Sequence, residues 1–365
     1  MFLTNRLKPY YELKGESPYA HGLSLADKVA MSKPQEFLPR CSEGEKPKAI
    51  LMLHSLGGSV QGLTSIAERI HEKMPCTWIR IPLLKGYGGL PGDALTVNAQ
   101  RDWLEPSSRL YHNFLRQPGV DAVSIIGHSM GGLIGMLILQ DTALNTSSKP
   151  SQLILTAPAI ALPTQYELML PLTKFIKLFR DYHIMFPKSE TPFLSYSLSY
   201  NELSQLAYLY HRLDRIMVTD AQVRVQAWFT AGDRTIDTEK SANILCQMYH
   251  DSKVNVYRQK DQIVDLSLCD DRKILMLDVS ASNVIELTHR GLNFPENKPY
   301  FDLESLWCEG DSVALHSPDL SCDEFKAIDW HFGSENNAKQ KLLYGSFNPY
   351  FDSMVEEMIA FLREQ

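Results

Sequence analysis

The chain has 365 residues, of which 44% are hydrophobic and 22% charged, and it carries a formal net charge of −7. That size and balance suit a soluble globular protein, either two domains or one large α/β domain with an insertion. An acidic total with no cluster of Lys and Arg argues against a nucleic-acid-binding surface.

The first residues, "MFLTNRLKPYYELKG", contain no sustained apolar core of the kind a signal peptide needs, so the cytoplasm is the expected location. No apolar run reaches the length of a membrane span. Residues 1–47 read as a lead-in, with room for one edge strand. From there the chain alternates. "KAILMLHS" (Lys48 to Ser55) and "TWIRIPLL" (Thr77 to Leu84) read as strands, and the stretch between them places Leu63, Ile66, Ala67 and Ile70 at helical spacing.

The next strand, Asp121 to Ile126, runs straight into "GHSMGGLIGMLIL". Gln152 to Ile160, Val223 to Asp233 and Lys273 to Ser280 follow as further strands, with helical patterns between and after them. Runs apolar on both faces, separated by amphipathic helices, predict a mostly parallel sheet covered on both sides. Residues 48–160 and 222–365 therefore form the expected core.

Between them, 161–221 carry helical stripes (Leu168, Leu172, Phe175, Ile176, Phe179, then Leu203, Leu206, Leu209, Tyr210, Leu213) and no strong strand. This reads as a cap or lid over the carboxyl edge of the sheet. Within it, "FIKLFRDYH" leaves a transient membrane-surface contact open, with packing on its own protein the favoured reading. Residues 298–338 read as a long surface excursion. Six cysteines (Cys41, Cys76, Cys246, Cys269, Cys308, Cys322) stand apart with no C-x-x-C pair. Free thiols are the expectation, and a zinc site is disfavoured. The sequence carries no signal of oligomeric state.

Gly127-His128-Ser129-Met130-Gly131 fits G-x-S-x-G, a tight strand-to-helix turn that stands a serine out at the crevice where ligands bind parallel sheets. The helix beginning at Met130 offers unpaired N–H groups where negative charge would develop. A second donor is expected from the glycine-containing loop after "ILMLHS", which gives Leu56 and Met130 as the oxyanion-hole amides. A serine needs a base and an orienting acid, and in this topology the order is Ser, acid, His. Asp233 follows a strand directly, whereas Asp237 fits better as a helix N-cap. His289 follows the last strand and is favoured over His316, with His331 weaker still.

These residues resemble the serine α/β-hydrolase superfamily, and within it the bacterial carboxylesterase and monoacylglycerol-lipase-like branch. "ILMLHSLGGS" looks like that branch's oxyanion segment, "GHSMGG" like its nucleophile elbow, and "TAGDRTID" and "THRGL" like its acid and base segments. Ser55 stands where the branch has glycine, and Gly86-Tyr87-Gly88 where it has G-H-G. The resemblance implies the α/β-hydrolase fold, a triad of Ser129, Asp233 and His289, and ester hydrolysis through an acyl-serine without metal or organic cofactor. The expected substrate is a small-molecule ester or lipid with a short to medium acyl chain. Thioesterase, amidase or acyltransferase chemistry on the same triad, or a non-catalytic binding protein on the fold, are the alternatives.

Overall fold

The computed structural model describes residues 33–87, 96–120, 122–145, 152–164, 200–215, 223–233, 235–270, 274–279, 287, 289, 291–295 and 348–364. They build an α/β-hydrolase fold on one eight-stranded sheet. The strands are β1 Gln35–Phe37, β2 Lys48–Leu53, β3 Thr77–Ile81, β4 Val123–His128, β5 Gln152–Thr156, β6 Arg224–Thr230, β7 Ser252–Arg258 and β8 Ile274–Asp278, in the order β1-β3-β2-β4-β5-β6-β7-β8. β1 pairs antiparallel with β3, Gln35 against Ile81, and every other pair is parallel.

The central strands are buried on both faces because helices cover both. β2 from Ala49 to Leu53, β4 and β5 are buried throughout. On one face, α1 (Gln61–Lys73) and α6 (Phe351–Arg363) lie together, joined at the surface by Arg69–Asp352 and Lys73–Glu356 ion pairs. Gln152 reaches that face, since its Nε2 donates to the Phe361 carbonyl. The neighbouring Leu153 points the other way, and together with Ile125 it meets α3 (Met130–Asn145) at Gly135. On that second side α3 also contacts α2 (Glu105–Leu115), and α5 (Thr238–Met248) covers β6 and β7.

Of the expected cap, the described part is the start of the stretch and α4 (Tyr200–Arg215). Its apolar stripe packs inward: Leu206, Leu209 and Leu213 are buried in the main core. The remaining stripe, from Leu168 to Phe179, lies outside the described residues, as does the 298–338 excursion. α4 rests against a π-helical turn, Ala99–Leu104, where Gln205 accepts from the Ala99 amide at 2.8 Å.

Four of the six cysteines depart from the expected free thiols, and Cys308 and Cys322 lie outside the described residues. Cys41 bonds Cys76, and Cys246 bonds Cys269, as disulfides. Spacing along the chain hid both pairs, because each is made by sheet packing that brings a loop beside a distant element. Among the described residues no helix is long and apolar enough to cross a membrane.

Candidate active site

The sheet's carboxyl edge gathers the ends of β2, β4 and β6, and the predicted site residues sit there. β4 ends at His128, α3 begins at Met130, and Ser129 alone makes the turn with a φ of 54°. A left-handed φ on a residue with a side chain is strained and persists only where its surroundings impose it. Here they do so with backbone bonds. The Ser129 amide donates to the Thr156 carbonyl at 3.0 Å, and the Ser129 carbonyl accepts from Gly132 and Ala159 at 3.0 Å each.

The glycines of the motif are required by close approach. A Cβ on Gly131 would lie 1.9 Å from the Leu53 carbonyl oxygen, and one on Gly127 would lie 2.5 Å from Gly132 Cα. β2 and the elbow thus press backbone to backbone, which brings the segment after β2 beside the serine. In that segment Gly57 takes a φ of 65° and the Gly58 amide closes a turn on the Ser55 carbonyl at 3.1 Å. Leu56 sits half-buried in this turn and Met130 is fully buried at the helix start.

His54 braces the same loop. It is buried, its Nε2 accepts from the Leu84 amide at 3.0 Å, and its Nδ1 donates to the Ser55 carbonyl at 3.0 Å. The Leu84 donor fixes the tautomer, since Nε2 must be the acceptor and the proton must be on Nδ1. Burial pushes its pKa down to about 4, so it stays neutral.

Across the serine, Asp233 and His289 meet. His289 Nδ1 lies 2.6 Å from Asp233 Oδ2, with the Asp233 side chain fully buried and that of His289 8% exposed. Asp233 Oδ1 accepts from the amides of Thr235 and Ile236 at 2.8 and 3.1 Å, which holds the carboxylate in one orientation. Thr230 Oγ1 donates to the Leu287 carbonyl at 2.6 Å and fastens the segment before His289 to β6. The His289 ring packs 5.1 Å from that of His128, the residue beside Ser129. Asp237 is the N-cap of α5, accepting from the Lys240 amide at 3.0 Å. His316 and His331 lie outside the described residues.

Sequence reasoning missed His54 as part of this constellation, and Tyr87, whose buried ring meets that of His54 edge-on at 5.4 Å. Both are short-range neighbours of the oxyanion loop, and their signal was only that each is a polar ring next to a glycine turn. Asp102 belongs to a separate, part-buried cluster: the Arg101 guanidinium, with the Asn98 amide and Lys85, lowers its pKa to about 2.

Residues 82–253 match the profile of a family described as serine aminopeptidase, S33. No curated protein matches the chain. Among solved structures, a soluble variant of monoglyceride lipase from Saccharomyces cerevisiae, in complex with a substrate analogue, is 14% identical, covering 66% of this chain and 86% of that one at a TM-score of 0.48. Monoacylglycerol lipase from Paleococcus ferrophilus is 13% identical, over 62% and 88%, at 0.47. Est1E from Butyrivibrio proteoclasticus, with bound ferulic acid, is 15% identical, over 62% and 85%, at 0.45. The family match and the sheet order bear out the resemblance to the serine α/β-hydrolase superfamily.

Proposed function

For this chain of the α/β-hydrolase fold we propose a serine hydrolase that cleaves carboxylic esters of short to medium acyl chains. The observation that supports it best is the Asp233–His289 contact at 2.6 Å beside a serine held at a φ of 54°. Ser129 Oγ attacks the ester carbonyl carbon while His289 Nε2 takes its proton, and Asp233 accepts from Nδ1–H and favours the imidazolium. The amides of Leu56 and Met130 receive the oxyanion. As the tetrahedral adduct collapses, His289 returns the proton to the departing alcohol and an acyl-serine remains. Water, deprotonated by His289, then releases the carboxylic acid and restores Ser129.

The cap at 161–221 would enclose the acyl chain, each buried CH2 adding up to about 0.8 kcal/mol. On p-nitrophenyl esters, kcat/KM should rise from acetyl to medium chains and fall at sixteen carbons. Because the family description names an aminopeptidase, amino-acid p-nitroanilides belong in the same panel. Turnover of the anilides alone would replace the ester reading with an amidase. The two disulfides favour work in an oxidising compartment.

Labelling by a fluorophosphonate tests the chemistry directly. Wild type should label and Ser129→Ala should not, with kcat on an activated ester lowered by roughly 10⁴ and folding intact. An unlabelled, inactive wild type would leave a non-catalytic binding protein.

A further inference from the structure

Asp233 and His289 reach each other from unlike surroundings. Asp233 sits on a turn drawn tight at the end of β6. Its amide donates to the Thr230 carbonyl at 3.2 Å, that carbonyl also accepts from Thr238 Oγ1 at 2.8 Å, and the Ala231 amide donates to the Tyr257 carbonyl on β7 at 2.8 Å. His289 belongs to no strand and lies beyond β8, which ends at Asp278. On its far side the chain makes a 3-10 turn, Gly291–Asn293, held by Asn348, whose Nδ2 donates to the Leu292 carbonyl at 3.1 Å and whose amide donates to the Phe294 carbonyl at 2.7 Å.

On the near side one hydroxyl spans the gap. Thr230, buried at the last position of β6, donates Oγ1–H to the Leu287 carbonyl at 2.6 Å and accepts from the Gly232 amide at 3.3 Å. A carbonyl oxygen only accepts and an N–H only donates, so the hydroxyl proton lies toward Leu287 and a lone pair toward Gly232. Gly232 directly precedes Asp233, and buried Leu287 stands two positions before His289. The hydroxyl therefore clasps the turn of the acid to the segment of the base. The 2.6 Å contact between Nδ1 and Asp233 fixes one atom of the ring, about which the imidazole can still swing. Proton transfer requires Nε2 to come within hydrogen-bond reach of Ser129 Oγ, and a second anchor on the same stretch of backbone limits that swing. Without the hydroxyl, the buried Leu287 carbonyl loses this donor, and the segment gains a reason to move.

We propose that Thr230 is a positioning residue for the acyl-transfer step, whose hydroxyl sets the place of His289 relative to Asp233 and Ser129 by joining the turn after β6 to the segment before the base. This rests on the serine-hydrolase reading. The role involves no contact with substrate.

The test uses Thr230→Ser, Thr230→Val and Thr230→Ala in the full chain. Serine keeps the hydroxyl and loses the methyl group, whereas valine keeps the shape and loses the hydroxyl, so positioning and packing predict opposite orders. With p-nitrophenyl butyrate, Thr230→Val should lower kcat by roughly 10–100-fold, the size expected when a reacting group shifts by up to about 1 Å, with KM within about two-fold. Thr230→Ser should keep kcat within about three-fold of wild type. If Thr230→Val does not fold, the serine and alanine variants ask the same question, since they differ by one oxygen, and alanine should fall at least about ten-fold below serine. Independently of turnover, the downfield Nδ1–H proton resonance of His289 should shift or be lost to exchange in the valine and alanine variants and persist in serine. Equal kcat in the serine and alanine variants with an unmoved resonance would overturn the role. A serine variant worse than valine, with kcat following melting temperature, would reduce Thr230 to packing. A wild type that neither labels with fluorophosphonate nor turns over ester removes the hydrolase reading and the catalytic role with it, while the resonance still reports whether the hydroxyl holds His289 against Asp233.

Discussion

Ser129 is flanked by two regions that each bury a histidine at the carboxyl edge of the sheet. On the oxyanion side, His54 spends both ring nitrogens on backbone, one on the Ser55 carbonyl and one on the Leu84 amide. On the acid side, His289 gives Nδ1 to the Asp233 carboxylate, and among the described residues nothing binds Nε2. Burial is nearly equal, at 1% and 7% exposure. In the proposed mechanism, what separates a brace from a base is an Nε2 that no described residue binds, with an anion behind the ring.

The largest expected effect breaks that contrast if it is wrong. His289→Ala and Asp233→Asn should each lower kcat on an activated ester by roughly 10³–10⁴, with the fold retained. His54→Gln, which loses only the brace, should cost about ten-fold, since the amides that receive the oxyanion are still present. His316→Ala should keep most of the activity. Equal losses at positions 54 and 289 would erase the distinction, and a dead His316 variant would move the base.

The two regions also differ in how they are fastened. Cys41–Cys76 closes a separation of 35 residues at the amino end of β3, remote from the site edge. Cys246–Cys269 closes 23 residues and ties α5, the helix capped just after Asp233, to the loop following β7. Loop entropy assigns each about 3–4 kcal/mol. Urea melts of Cys41→Ser/Cys76→Ser and Cys246→Ser/Cys269→Ser should show losses of that size. Only the second pair should also lower turnover, because only it ties down the helix that follows Asp233, the proposed acid. Melts unaffected by reductant in the wild type would mean the thiols are free.

The same contrast explains what could be read from the sequence. The elbow was legible because its residues form a local pattern, even though only Gly127 is required by near neighbours, Gly131 and Gly132, while Gly131 is required by the distant Leu53 carbonyl. Six strands were legible because central parallel strands are continuous apolar runs. β7 was not, since Lys253 and Asn255 interrupt it. Lys253 reaches out to Glu357, and buried Asn255 donates to the Ala227 carbonyl on β6, a partner the sequence does not announce. The three-residue β1 is too short to carry a period. Disulfides, the His54 brace and the Tyr87 environment all depend on groups brought together by packing, and their partners lie where no spacing rule points.

His54 supplies the smallest and sharpest test. Its pKa falls from about 6.5 in an unfolded chain to about 4 in the folded one because burial penalises the charged ring. Between those values the unfolded state binds the extra proton, so stability is complete above the upper value and drains away as pH falls toward the lower one. The span corresponds to about 3 kcal/mol. Carboxylates elsewhere titrate over part of the same range, so the quantity to measure is a difference: urea-unfolding free energies of wild type and His54→Gln from pH 7.5 to 4. The wild type should lose more stability across that window by about this amount, with the gap opening below pH 6.5. Superimposable profiles would mean that His54 takes up its proton freely in the folded state. The oxyanion loop would then be held without the neutral ring, and the two flanks of Ser129 would differ in name only.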